Sequence, residues 1–104
     1  RSIGYFNGRY GMMYWTITSQ IISLGIIASK LPPTAMEGRK YLTVQNLGGV
    51  TVYVGNTFVT ANTTGTGGFQ LLPRATWSEL YTDNVSIYGI IATGSSQVYI
   101  EEGK

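Results

Sequence analysis

The chain has 104 residues, enough for one small domain, and 43% of them are hydrophobic while only 12% are charged, with a formal net charge of +2. It has no cysteine and no histidine, which excludes disulfides, thiolate metal sites and the commonest general base and imidazole ligand. The basic residues Arg1, Arg9, Lys30, Arg39, Lys40, Arg74 and Lys104 are scattered, whereas nucleic-acid binding needs them clustered in a stripe. A surface this poor in charge suits a protein that faces other protein. No acid occurs between Arg1 and Met36.

Residues 1–13, RSIGYFNGRYGMM, follow neither a helical nor a strand period. Gly4, Gly8 and Gly11 make the stretch pliable, and Tyr5, Phe6 and Tyr10 supply apolar grip. It reads as an N-terminal arm that orders against a partner, the alternative being a strand docked on its own domain. The domain proper is expected to span 14–104. Trp15 is expected either to anchor the arm or to fill the core.

From Tyr14 onward short strands succeed one another. YWTITS is rich in β-formers, and Ile22, Leu24, Ile26 and Ala28 share one face of an extended chain. The apolar run Ile21 to Ala28 is far shorter than the roughly 20 residues a membrane helix needs. No signal peptide is expected, because no charged segment followed by a long apolar one opens the sequence. Leu31-Pro32-Pro33 stops the second strand, since proline cannot feed a ladder.

In YLTVQNLGGVTVYVGN, the residues Leu42, Val44 and Asn46 share a face, as do Val50, Val52 and Val54. A hairpin that pairs residue 46 with 50 and 44 with 52 through Leu47-Gly48-Gly49 places all of them together, whereas a one-residue slip inverts every side chain. Tyr41 and Tyr53 then become outward diagonal neighbours beside Arg39 and Lys40. Phe58 to Ala61 is a further expected strand, and NTTGTGG (62–68) a loop. Pro73 separates two strands, Phe69 to Leu72 and Thr76 to Tyr81. Val85, Ile87 and Ile91 are expected inward on a strand over 84–92, and Val98 and Ile100 on the last one. Trp77 is expected in the core. About eight short strands without a helix predict an antiparallel β-sandwich or small barrel.

The sequence offers no catalytic constellation. Its five acids are Glu37, Glu79, Asp83, Glu101 and Glu102. Glu79 and Asp83 are the nearest to a glycosidase pair, but Asp83-Asn84 has ordinary turn composition. Glu101 and Glu102 are expected in solvent at a strand end. No base is available to activate a serine or threonine, and no catalytic, metal or cofactor residue is assigned. Asn62-Thr63-Thr64 and Asn84-Val85-Ser86 match the N-glycosylation pattern, which is short enough to arise by chance. The aromatics are the remaining chemistry. Arg39, Tyr41 and Tyr53 form an expected ligand face that could stack a sugar.

The stretch LPPTAMEGRKYLTVQNLGGVTVYVGN and the sequence after it carry a pattern: Leu-Pro, then Gly-Arg-Lys, a strand ending Gln-Asn, a strand ending Tyr-Val-Gly, then Gly-Phe-Gln-Leu-Leu-Pro and Tyr-Gly-Ile-Ile-Ala-Thr-Gly-Ser. Over Leu31 to Glu102 this resembles small β-sandwich virion proteins of tailed bacteriophages, of the capsid decoration, cement or head-fibre-base type. The resemblance implies a non-enzymatic structural protein at the capsid surface. Its partner would be the major capsid protein or another virion protein, and it would assemble as a homo-oligomer, with a trimer expected. Neither membrane nor nucleic acid is implied as a partner. The arm and its junction, Tyr5, Phe6, Arg9, Tyr10, Tyr14 and Trp15, would form the protein interface. The rival reading is a carbohydrate-binding, host-recognition module of a tail fibre.

Overall fold

A computed structural model of the chain describes residues 16–63, 65 and 67–104. Among them are eight strands and no helix: β1 Ile17–Leu24, β2 Ser29–Lys30, β3 Tyr41–Asn46, β4 Val52–Gly55, β5 Phe69–Leu71, β6 Thr76–Glu79, β7 Tyr88–Ile90 and β8 Ser96–Gly103. One sheet has the order β1-β8-β3-β6 and the other β2-β7-β4-β5, antiparallel throughout. The expected antiparallel sandwich is therefore present.

The pairings are nested. β1 pairs with β8, β2 with β7, β3 with β6 and β4 with β5. Contacts β3–β8 and β4–β7 complete the two sheets. A long hairpin folded over on itself gives this arrangement, which is the strand order of a jelly roll. β8 is the spine of its sheet, flanked on both sides along most of its length.

Period-2 alternation places the core. Leu42, Val44 and Asn46 on β3 and Val98 and Ile100 on β8 face Val52 and Val54 on β4 and Leu71 on β5. Leu24, Leu31, Ile87 and Ile91 close the cluster. Full burial of each such side chain contributes about 1.5–3 kcal/mol. Trp77 is half-buried at the sandwich edge and packs against this cluster, with the Phe69 and Tyr81 rings 6.4 and 5.7 Å away.

The hairpin expected between β3 and β4 does not form. The two strands lie in opposite sheets, so residue 44 does not pair with 52 nor 46 with 50. The inward alternation of both strands is as expected, but facing sheets satisfy it as well as neighbouring strands do. Val50 belongs to the crossing segment and is exposed. Asn46 holds this corner from inside. Its Nδ2 donates to the carbonyls of Val50 (2.7 Å) and Leu71 (2.9 Å), and its Oδ1 accepts the Gly48 N–H (2.9 Å). One buried amide thus ties β3 to β5 in the other sheet and shapes the step between them.

Three further expectations are corrected. Residues 58–61 form no strand; Phe58 is 73% exposed, and the β pairing of Thr60 is an isolated bridge to Gly67. Ile26 lies beyond the end of β1 and turns outward, 63% exposed, so it does not continue the face of Ile22 and Leu24. Val85 is also exposed, because the chain is extended as a strand only from Tyr88.

Candidate functional site

The most organised polar surface is the outer face of the β1-β8-β3-β6 sheet. Antiparallel partners share a face, so the register places Tyr99 and Glu101 of β8 beside Tyr41, Thr43 and Gln45 of β3. Both oxygens of Glu101 are engaged: Tyr41 donates its hydroxyl to Oε2 (2.8 Å) and Tyr99 donates to Oε1 (2.9 Å). Thr43 and Ser78 hydroxyls meet at 2.6 Å across the β3–β6 pair. The carboxylate accepting its bond raises the Tyr99 pKa above the ordinary 10.0, with the Ser19 hydroxyl opposing in part. The tyrosine therefore keeps its proton, and the clamp its geometry, throughout the neutral range.

At one edge of this face lies a groove of about 440 Å³ lined by Tyr41, Thr43, Ser78, Glu79 and Leu80. Leu80 is 74% exposed. The groove joins an aromatic wall and an aliphatic wall to the Thr43 and Ser78 hydroxyls. That chemistry suits a small polar ligand with one apolar face. Among the described residues no group of three or more acids is placed to hold a metal ion.

The expected ligand face of Arg39, Tyr41 and Tyr53 is not a single surface. Tyr53 lies on β4 in the opposite sheet from Tyr41. Arg39 is 2% exposed and points into the end of the sandwich. Its Nη1 pairs with Glu102 Oε2 at 2.9 Å, its Nε donates to the Tyr81 carbonyl (3.0 Å), and its Nη2 donates to the carbonyls of Thr82 and Val85 (2.8 Å each). Glu102 Oε2 also accepts the Met36 N–H at 3.0 Å. The guanidinium thereby clasps the segment before β3, the segment after β6 and strand β8. Planar forked donors suit this many-sided bonding, which an ammonium could not reproduce.

Glu102 is likewise not in solvent; it is 2% exposed. Its parity carried the signal, because Glu102 follows Val98 and Ile100 at steps of two and so faces inward. Glu101, one residue earlier, faces out as the same alternation requires. Asp83 accepts the Gly38 N–H at 3.0 Å, which makes it a turn tether apart from Glu79. The expected interface residues Tyr5, Phe6, Arg9, Tyr10, Tyr14 and Trp15 lie outside the described residues.

No protein-family model, curated protein or solved structure matches this chain.

Proposed function

We propose that this protein is a non-enzymatic structural component of a tailed-bacteriophage virion. It would sit on the capsid surface as a decoration, cement or head-fibre protein, held there through residues 1–13. Tyr5, Phe6, Arg9 and Tyr10 make the grip, and the sandwich is the rigid body that the grip positions. The observation that carries this reading is the apolar surface left in solvent by a charge-poor domain. Ile26 (63%), Ile27 (78%), Phe58 (73%) and Leu80 (74%) are largely exposed on separate connecting segments, each available to the apolar surface of a partner. Each such side chain covered by a partner contributes roughly 25 cal/mol per Å² before ordering costs, and a symmetric shell repeats that contact at every copy. The jelly-roll order is compatible with this role, since capsid and lectin domains both use it, and the fold alone does not choose between them.

Deletion of residues 1–13 tests the attachment. The truncated protein should keep its β-sheet circular dichroism and lose particle association, read as copies per purified particle after sedimentation. Normal occupancy without those residues would sink the arm as the anchor.

The groove beside Tyr41 favours a second reading, saccharide recognition. Its aromatic wall and paired hydroxyls are groups that stack on a sugar ring and bond its hydroxyls. On that reading Tyr41→Ala weakens glycan-array binding about tenfold or more, a loss of ~1.4 kcal/mol. Tyr53→Ala, on the other sheet, leaves it unchanged. Equal loss from both variants, or no saturable binding by the intact protein, removes this reading.

A further inference from the structure

Two open four-stranded sheets have four edges, and natural sandwiches protect such edges with short strands, charges, prolines or bulges. Three of the edges here are protected. β2 is two residues long, β5 three, and β6 four with Glu79 at its end. β1 differs. It runs eight residues, ITSQIISL, with no charge and no proline, and its pairing to β8 is unbroken from Ile17↔Gly103 to Leu24↔Ser96, without a bulge. Its outer edge has no strand partner among the described residues, and Ile17 through Ile21 are all exposed.

The ladder shows which backbone groups β8 does not engage. Thr16 and Lys104 exchange both of their N–H···O bonds, at 3.1 and 3.0 Å. Antiparallel pairs alternate between bonded and non-bonded, so Thr18, Gln20 and Ile22 bond to β8. Ile17, Ser19, Ile21 and Ser23 direct N–H and C=O to the open side. The same odd-numbered residues carry their side chains on the outer face, where Ile17 is 58% and Ile21 60% exposed.

We propose that β1 pairs antiparallel with β1 of a second copy, joining the two sheets into one continuous sheet about a two-fold axis at Ser19. The stretch Ile17-Thr18-Ser19-Gln20-Ile21 has the same polarity read in either direction. In this register Ile17 lies opposite the partner's Ile21, Thr18 opposite the partner's Gln20, and Ser19 opposite the partner's Ser19. The free N–H and C=O groups of Ile17, Ser19 and Ile21 then meet those of the partner. Four isoleucines cover one another on the outer face, and no like charges are opposed. A charged partner strand would find no complement on this edge. A second copy matches it in pattern, register and hydrogen-bonding parity. The pairing concerns the sandwich alone and does not rest on capsid attachment.

The test is the solution mass of the full chain by light scattering, at about 100 µM, where even a micromolar dimer is formed. The expected mass is twice the 11.3 kDa of one chain. Ser19→Pro removes the hydroxyl beside Tyr99 and a backbone N–H that the β1–β8 ladder does not use, and edge strands tolerate proline at such positions. It should halve the mass with the β-sheet spectrum unchanged. Ile21→Lys should also give monomer, by replacing the apolar contact with the partner's Ile17 by a charge that finds no complement there. Ser19→Ala, which loses the hydroxyl but keeps the N–H, should stay dimeric. Should Ser19→Pro fail to fold, Ile21→Lys decides, together with hydrogen exchange at Ser19 and Ile21, which is slow in a dimer and fast at an open edge. A monomeric wild type, a closed trimer, or a dimer that survives Ile21→Lys overturns the proposal.

Discussion

Arg39→Ala is expected to cost about 3–5 kcal/mol of folding stability, the range for removing one partner of a buried ion pair. The substitution leaves the buried Glu102 carboxyl without its counter-charge, with the Met36 N–H still donating to it. It also strips the carbonyls of Tyr81, Thr82 and Val85 of their donor. Small domains have a total margin of roughly 5–15 kcal/mol, so the variant should be close to unfolding at 37 °C. Its Tm should fall by on the order of 15 °C. Guanidinium titration followed by tryptophan fluorescence measures this. Glu102→Gln should cost less than Arg39→Ala, because an amide oxygen can still accept from Met36 and Arg39. Arg39→Ala combined with Glu102→Ala should fall well short of the sum of the single losses, since each substitution removes the same interaction. Additive losses, or an Arg39→Ala cost below about 1 kcal/mol, would mean that the clasp holds little.

Asn46→Ala should be the next most damaging change, at about 2–4 kcal/mol, as each buried polar group left unpaired costs roughly 1–3 kcal/mol. Three groups lose their partner: the Val50 and Leu71 carbonyls and the Gly48 N–H. Asn46→Asp is the sharper variant. It keeps the acceptor for Gly48 but turns an oxygen toward two carbonyls and buries a charge, so at pH 7 it should cost at least as much as alanine. Urea unfolding with matched m-values checks both. If Asn46→Asp were as stable as the parent, the amide would not be what joins the two sheets at this corner.

These two residues also mark how far the chain's pattern could be followed. Alternation alone placed Leu42, Val44 and Asn46 on one face, Val52 and Val54 on another, and Val98 and Ile100 inward, all as observed. The same alternation extended by one step reaches Glu102. Composition argued instead for a solvated carboxylate, and the counter-charge that makes burial tolerable comes from a residue 63 positions away. Arg39 looked like part of an exposed basic pair with Lys40, yet only Lys40 is exposed.

The assignment of β3 and β4 to sheets shows the same boundary. A side-chain period of two reports that a strand has one buried face. It does not report whether the neighbour across that face is in the same sheet or the opposite one. Tyr41 and Tyr53 were placed together on that account and are in fact on different sheets, which dissolves the expected aromatic platform and leaves Tyr41 with Glu101 and the groove beside Leu80.

The all-β character, the approximate strand count and most inward positions followed from local chemistry: β-branched residues in alternation, broken by glycine and proline. The nested pairing, the Arg39–Glu102 clasp and the Asn46 bridge arose from contacts between residues distant along the chain, and these also decide which strand lies at an edge among the described residues. Local preference acts over a few bonds, whereas burial of a charge or the partner of a strand depends on what the rest of the fold brings beside it.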